Sequence, residues 1–415
     1  MKAALSEAEA AGLIFRNSLC RDRVGRTGVE LEWFVVPDAN PTRRATGEEL
    51  ASLARRFDTP LPSSGSVSWE PGGQLELSSA PHESLQSCVD AVAADLAVVQ
   101  ERARTEGMSL VGGGLDPRPP GFTVSLPRYQ ALRRYYARWG NGGDTLLCNT
   151  ASVQINLDAG DASHGWRGRS RRWLVANALG PALMAMFANS PVGHGPEHEK
   201  ETASSGRQLL RLRTDRLRSG PLPHHGDPRR TWTRYALDTN VVAIHRPVTD
   251  GTPLAWSPAP DGLSLRQWLR GAGPRDVRPE DVHHHLKSLV PPVRACGHLE
   301  FRMIDAQHAD DWVVPVAVVA ALMDDETTSD AAASLITDRV PQPTWQDWIV
   351  AAREGMAHPG TADVAERVVR LALAGLRRLE VSPAVIETVG LFAERHTLRG
   401  LAPAHLRCPR RTAVA

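Results

Sequence analysis

Residues 28–36 read Gly-Val-Glu-Leu-Glu-Trp-Phe-Val-Val, and the pattern of this stretch recurs along the chain. It predicts a β-strand, because the side chains of a strand point alternately to its two faces. Glu30 and Glu32 then share one face, and the apolar side chains share the other. Glutamate is disfavoured in strands, so two glutamates on one face indicate that this face has a particular environment.

Three later segments alternate in the same way. Their polar positions are Gln74, Glu76 and Ser78; Ser152, Gln154 and Asn156; and His298, Glu300 and Arg302. A solvated strand face explains any one segment equally well. Together, the four segments concentrate carboxylates and carboxamides rather than the Thr, Lys and Arg that are usual on solvated strands. The sequence therefore predicts one sheet with a polar functional face.

Four carboxylates on that face predict a metal site, because neighbouring carboxylates repel each other unless a cation lies between them. The predicted ligands are Glu30, Glu32, Glu76 and Glu300. Oxygen ligands favour Mg²⁺, with Mn²⁺ as an alternative. Four carboxylates exceed what one Mg²⁺ takes from protein, so we expect two or more ions that bridge nucleotide phosphates. Arg302 could then stabilise a transferring phosphoryl group.

The sequence contains no GxxxxGK[ST] loop, and the glycines at 111–115 lack the lysine that would follow them. We therefore expect ATP to be held by metal and arginine rather than by a glycine-rich loop.

Composition predicts a globular protein, with 42% hydrophobic and 23% charged residues among 415. The formal net charge of +1 gives no general attraction to nucleic acid or to anionic membranes. The arginine-rich stretches 167–172 and 207–218 have few interleaved aromatics, so we expect no nucleic-acid partner. Five scattered cysteines argue against a disulfide framework and a structural zinc site. We expect Cys148 and Cys296 to be buried, and the adjacent His283, His284 and His285 to be surface residues.

The N-terminus carries acidic residues where a signal peptide would be apolar, and the apolar run 312–323 is too short to span a bilayer. This run predicts a buried helix and, with the N-terminus, a cytoplasmic protein without a membrane partner. Helical periodicity predicts further helices at 7–19, 83–106, 128–139, 171–187, 279–289 and 362–379. We expect one domain over 1–415, with a catalytic sheet at 28–310 and a helical portion at 311–415.

The segment Glu70-Pro-Gly-Gly-Gln-Leu-Glu-Leu-Ser-Ser-Ala-Pro81 resembles a long and specific signature of the plant and bacterial glutamate–cysteine ligases. Other matching segments follow in family order, at 153–158, 188–191, 235–238 and 298–302. The residues around 148–151 and 158–160 are most similar to the actinobacterial branch associated with ergothioneine biosynthesis.

The resemblance implies an α+β protein with the glutamine-synthetase-like carboxylate–amine ligase fold, in which an antiparallel sheet forms a funnel with helices packed outside. It also implies the reaction: ATP phosphorylates the γ-carboxylate of L-glutamate, and the amine of L-cysteine then displaces phosphate to give γ-glutamylcysteine. We expect a closing loop to exclude water, and the polar stretch 192–228 is the predicted lid.

The resemblance also assigns roles to single residues. It matches the four predicted carboxylates to metal ligands, with Glu300 and Arg302 as the catalytic positions. Gln154 matches a metal or phosphate contact, and Asn156 a contact to substrate or nucleotide. Arg207 matches an arginine that binds a substrate carboxylate. Glu70 is a weaker metal candidate, because the turn at 71–73 separates it from the strand.

One position departs from the plant-type pattern. Asn149 stands where those enzymes carry an arginine for a substrate carboxylate. Asn149 remains a candidate substrate contact, and Arg211 or Arg213 could supply the missing charge.

Three other functions remain open on the sequence. A related ligase could use a different amine, because specificity resides in loops. A catalytically silent relative could bind glutamate or nucleotide, although it would not need several metal ligands. A phosphoesterase is less consistent, since no activated nucleophile accompanies the carboxylates.

Overall fold

The stretch around Glu30 forms the centre of an antiparallel sheet in the computed structural model, which describes residues 4–20, 23–193, 202–246, 255–340 and 343–407. The strands are β1 (Thr27–Pro37), β2 (Ser66–Trp69), β3 (Leu75–Ser78), β4 (Met108–Val111), β5 (Ser152–Leu157), β6 (Ala243–Arg246), β7 (Ala255–Pro258), β8 (Val293–Ala295) and β9 (Leu299–Asp305). Seven strands form the main sheet in the order β2-β3-β1-β5-β9-β8, with β4 paired to β1, and β6 and β7 form a separate hairpin.

The four polar segments become four neighbouring strands, β3, β1, β5 and β9, as one functional face requires. Their register places Glu32 opposite Glu76 and Glu30 opposite Gln154. Residues directly opposite each other in an antiparallel pair have Cβ atoms about 4.5–5.5 Å apart. The register therefore sets polar side chains from distant parts of the sequence side by side.

A β-bulge interrupts the pairing of β5 with β9. Ile155 pairs with Phe301, but Val153 pairs with Ile304, so β9 holds one residue more than β5 over this interval. The extra residue reverses the alternation of the strand, and Asp305 comes to lie opposite Ser152 on the polar side. Simple alternation from Glu300 does not predict this position for Asp305.

Eighteen α-helices are present in the described residues. They are α1 (Glu7–Ser18), α2 (Gly47–Arg55), α3 (Leu85–Thr105), α4 (Pro127–Tyr136), α5 (Asn141–Cys148), α6 (Arg169–Ala178), α7 (Gly180–Met186), α8 (Gly206–Thr214), α9 (Arg216–Ser219), α10 (Pro228–Asp238), α11 (Leu265–Gln267), α12 (Pro279–Lys287), α13 (Val313–Asp324), α14 (Glu326–Arg339), α15 (Trp345–Glu354), α16 (Pro359–Arg378), α17 (Pro383–Arg395) and α18 (Pro403–Arg407).

Helix α13 confirms the prediction of a buried helix from the apolar run. Every residue from Val313 to Met323 is buried, and the helix packs against α16, α17, α14, α3 and β5. It thus connects the sheet to the C-terminal helices. Among the described residues, no helix combines the length and the apolar character needed to cross a bilayer.

Two predicted segments differ from the structure. The helix predicted over 171–187 is broken into α6 and α7, because Pro181, in the first turn of α7, cannot donate the hydrogen bond that would continue α6. The predicted lid at 192–228 contains α8 and α9, which carry buried side chains and are not a loop. Residues 194–201 of the predicted lid lie outside the described residues.

The apolar face of the sheet and the surrounding helices share one hydrophobic cluster, which reaches from Ala10 to Ala402. The predicted α+β class, an antiparallel sheet with helices packed outside it, is confirmed. Because a single cluster includes both the sheet and the C-terminal helices, we propose that the chain folds as one domain.

Arg172 provides a test of how α6 is joined to α13. Its guanidinium is fully buried, forms an ion pair with Asp324 at 2.8 Å and donates to the carbonyl of Asp158 at 3.0 Å. We expect Arg172→Leu to lower the free energy of unfolding by about 3–5 kcal/mol, because Asp324 would remain buried without its partner. Urea titration would measure the change.

The adjacent Arg171 is the matched control. It forms a similar ion pair with Asp330 at 2.9 Å, but both side chains are partly exposed. Arg171→Leu should cost about 1 kcal/mol or less. Equal effects of the two substitutions would contradict the role given to Arg172.

Candidate active site

The polar face of the sheet forms one side of a cavity of about 360 Å³. Its acidic wall comes from the sheet, with Glu30, Glu32 and Glu76, and from the turn after β2, with Glu70. Basic side chains also line it: Arg128, Arg207, Arg211, Lys287, Arg294 and Arg302. The cavity therefore exposes carboxylates and cations to the same small volume.

Hydrogen bonds hold the sheet carboxylates in place. Glu32 accepts from the backbone N–H of Ser152 at 2.9 Å and from the side chain of Gln154 at 2.7 Å. Glu76 accepts from the Ser68 hydroxyl at 2.9 Å, and Glu30 accepts from Asn156 at 3.2 Å. Each carboxylate keeps further lone pairs for another ligand.

Glu70, the weaker candidate on sequence, lies beside the other three. Its N–H donates to the carbonyl of Gln74 at 2.9 Å, so the turn folds Glu70 back next to β3. The turn requires its glycines, because a Cβ at Gly72 would lie 2.1 Å from the carbonyl oxygen of Cys148, and Gly73 has a φ of +83°. The Pro-Gly-Gly sequence thus delivers Glu70 to the site instead of separating it.

The carboxylates destabilise one another's charged forms. Burial, followed by the charges of Glu300 and Glu76, raises the pKa of Glu30 to about 7. Burial, followed by the charges of Glu32 and Glu76, raises the pKa of Glu70 to about 8. Burial also raises the pKa of Glu32 and of Glu76. A divalent cation would relieve this repulsion, and the all-oxygen donor set fits Mg²⁺ or Mn²⁺.

The carboxylates of the acidic wall are not preorganised as a metal site. Among the described residues, no three His, Cys, Asp or Glu side chains are grouped closely enough to hold a metal. The carboxylates would therefore have to turn toward an ion as it binds.

Glu300 differs from the other predicted ligands. It is 1% exposed, and both Arg294 and Arg302 form ion pairs with its carboxylate. Burial alone would raise the pKa of Glu300, but these two arginines outweigh it and hold the pKa to about 2. Glu300 could contact an ion only if an arginine released it, so its role as a metal ligand stays a prediction.

Arg302 lines the cavity at the junction of the two kinds of side chain. Besides Glu300, it contacts the carbonyl oxygen of the Gln154 side chain. Since Gln154 donates to Glu32, one chain of hydrogen bonds joins the acidic wall to Arg302. Both Arg302 and Gln154 thus lie where the sequence predicts them, on the cavity.

Arg207 is buried under the cavity wall. Its guanidinium donates to the carbonyls of Ile304 at 3.2 Å and Arg302 at 3.1 Å, and lies 3.6 Å from Asp305. Of the three guanidinium nitrogens of Arg207, Nε alone is buried without a hydrogen-bond partner among the described residues. Both terminal nitrogens of Arg207 thus bond to β9, and its contact with a substrate carboxylate stays a prediction.

Two predicted substrate contacts do not line the cavity. The Asn149 amide donates to the carbonyls of Asp116 and Arg118, and its oxygen accepts from Arg44 at 2.8 Å. These bonds give Asn149 a structural role, and its contact with substrate stays a prediction. Asn156 bonds Glu30 and His298, so it lies next to the cavity as a support for Glu30.

Sequence reasoning missed Arg294, which lies opposite Glu300 on the neighbouring strand β8. The signal was an arginine between two small apolar residues, just before the turn that enters β9. Arg128 and Lys287, at the ends of α4 and α12, carry no comparable signal. Cys148 is buried as predicted, whereas Cys296 is exposed, so its predicted burial is wrong.

The chain is similar to known ligases along most of its length. A sequence model of glutamate–cysteine ligase family 2 matches residues 26–391. Glutamate–cysteine ligase EgtA of Mycolicibacterium smegmatis is 34% identical over 373 residues, which cover 88% of this chain and 84% of the relative. EgtA of Mycobacterium tuberculosis is 33% identical over 406 residues, covering 95% and 88%.

More distant proteins are also similar. The chloroplastic glutamate–cysteine ligase of Arabidopsis thaliana is 29% identical over 394 residues, covering 85% of this chain and 70% of the relative. The crystal structure of a glutamate–cysteine ligase of Francisella tularensis in complex with AMP has a TM-score of 0.48 at 12% identity, covering 92% and 84%. Because the family model spans most of the 415 residues, this chain belongs to glutamate–cysteine ligase family 2.

Proposed function

We propose that the protein is an ATP-dependent ligase that joins the γ-carboxylate of L-glutamate to the amine of L-cysteine, giving γ-glutamylcysteine for ergothioneine biosynthesis. The observation that carries the proposal is the cavity that four glutamates and several arginines line together. Such a cavity suits a metal-bound nucleotide and an anionic substrate together. The membership in the ligase family supports the same conclusion.

The chemistry explains why both kinds of charge are needed. A free carboxylate does not acylate an amine, because oxide is too poor a leaving group. Its oxygen must first attack the γ-phosphorus of ATP, which forms an acyl phosphate and releases ADP. The amine then attacks the acyl carbon, and phosphate leaves.

The acidic wall would hold the metal. Glu30, Glu32 and Glu76 are the proposed ligands, joined by Glu70, with Gln154 as a neutral oxygen donor. When bound, Mg²⁺ or Mn²⁺ would neutralise the phosphate oxygens and favour phosphoryl transfer.

The arginines would act on the transferring group. Arg302 is the proposed donor to the phosphoryl oxygens as their charge shifts, and Arg294 stands beside it on the next strand. Glu300 pairs with both arginines, so it would hold their guanidinium groups in position. The proposed partners are the small molecules L-glutamate, L-cysteine and ATP.

The reaction itself gives the first test. The protein is incubated with ATP, Mg²⁺ and glutamate, with or without cysteine, and released phosphate is measured. We expect phosphate release that depends on cysteine, and γ-glutamylcysteine by mass spectrometry. Release only with another amine would overturn the assignment of cysteine, and no turnover with any amine would favour a binding protein.

Glu76 tests the acidic wall. We expect Glu76→Gln to lower the rate by about 100-fold and to raise the Mg²⁺ concentration needed for half-maximal rate, because one ligand is lost. The thermal midpoint should not fall, since the substitution removes repulsion from Glu32. Glu83→Gln, at an exposed glutamate, is the control and should behave as wild type. An active Glu76→Gln protein would contradict the proposed metal site.

The raised pKa values of Glu30 and Glu70 predict how ion binding depends on pH. At pH 6 both groups hold protons that an ion must displace, whereas above pH 8 they are ionised. We expect the shift in melting temperature caused by Mg²⁺ to grow from pH 6 to pH 8.5. Glu30→Gln should flatten this dependence, and a shift that is constant with pH would argue against carboxylate ligands.

A further inference from the structure

One end of the cavity differs from the rest in its lining. Tyr136, Leu146, Leu147, Val290, Arg211 and Asp215 line it. Leu146 and Leu147 pack in one cluster with Tyr136, Arg211 bonds to Val290, and the charges of Asp215 and Arg211 both act on Tyr136. Arg211 belongs to α8, and Asp215, four residues later, lies between α8 and α9. This set of residues is called the headgroup subsite below.

Arg211 reaches the cavity as a cation without an acidic partner. One terminal nitrogen donates to the carbonyl of Val290 at 2.9 Å. No carboxylate in the described ranges forms an ion pair with it, in contrast to Arg294 and Arg302, which share Glu300. Burial and the charges of Arg207 and Arg302 lower the pKa of Arg211. A half-buried cation among other cations is stabilised by an anionic ligand.

Asp215 offers the opposite charge at the same end. Its Oδ2 accepts from the Tyr135 hydroxyl at 2.8 Å and from Nε of Arg218 at 3.0 Å. Its Oδ1 has no hydrogen-bond donor among the side chains and amides that the structure describes, so it can accept from a ligand. Arg218 and Tyr135 are both buried and hold the carboxylate at the cavity wall.

We propose that Arg211 and Asp215 recognise the headgroup of an α-amino acid, with the carboxylate on Arg211 and the amino group on Asp215. The apolar side chains of the subsite would then contact the methylene part of its side chain. The two charges are separate partners for two groups on one carbon, which a phosphate or a simple carboxylic acid would not use together. The inference rests on the proposed ligase reaction only for the identity of the amino acid, glutamate or cysteine.

The same geometry decides between the two arginines left open by sequence. Arg213, two positions along α8, is exposed and does not line the cavity, whereas Arg211 does. In this proposal, Arg211 supplies the charge that is missing at Asn149. Arg207 also lines the cavity, but both of its terminal nitrogens bond to carbonyls of β9.

The test compares Arg211→Gln with the matched control Arg213→Gln. We expect Arg211→Gln to raise the KM of one amino acid by about 10- to 100-fold, because a charge-assisted bond is lost, with the KM of ATP unchanged. The amino acid affected, glutamate or cysteine, identifies the occupant. Arg213→Gln should leave all three values near wild type. A uniform fall in kcat with every KM unchanged would overturn the proposal.

Substrate analogues isolate the contact from any effect on folding. Wild type should prefer glutamate over its α-amide, or cysteine over cysteine amide, and Arg211→Gln should lose that preference. For Asp215, we expect Asp215→Asn to raise the KM of the same amino acid, whereas Asp363→Asn, at a partly exposed aspartate of α16, should not. A preference kept in Arg211→Gln would refute the assignment.

Binding measurements separate this proposal from the proposed reaction. Calorimetry with glutamate alone and with cysteine alone, both with Mg²⁺ and a non-hydrolysable ATP analogue, requires no turnover. Binding that is weakened in Arg211→Gln supports the headgroup subsite even if the protein forms no γ-glutamylcysteine. Binding that is equal in both proteins would overturn the subsite even if ligation occurs.

Discussion

Repulsion between carboxylates on neighbouring strands is the constraint on which the site depends. The register that places Glu32 opposite Glu76 forces two acids together at the edge of a cavity, and Glu30 and Glu70 add to the same charge. A fold that served only its own stability would not retain this arrangement, because each ionised group raises the cost of ionising the next. The cost is tolerated because the other strands and the helices hold the register. Under the proposed function, stability in the acidic wall is exchanged for affinity toward a cation.

The basic residues show how the fold limits that cost. Arg294 and Arg302 neutralise Glu300 fully, while the carboxylates of β1 and β3 bond mainly hydroxyl and amide groups. The strands therefore divide the face into a paired part on β8 and β9 and an unpaired part on β1 and β3. Gln154, on the strand between them, bonds to both parts. Positive and negative ligands would find their complements within one small volume.

The sequence predicted the strands of the site well, because alternation is a local property and β1, β3, β5 and β9 are short and strongly patterned. It could not predict the position of Glu70, which depends on how closely the glycine turn approaches Cys148. Nor could it predict the hydrogen bonds of Arg207 and Asn149, whose side chains donate to carbonyls that are far away in the sequence. What the sequence missed was set by tertiary contacts and not by pattern.

The bulge in β9 makes the length of this strand a functional property. Because of the extra residue between Phe301 and Ile304, Glu300 and Asp305 both lie on the polar side although an odd number of positions separates them. Glu300 supports the arginines from one end of the strand, and Asp305 lies against Arg207, Ser190 and Ser205 at the other. A relative lacking that one residue would keep each of these side chains in its sequence and still lose one of the two anchors. In comparing members of this family, the spacing between the two acids is therefore as informative as their identity.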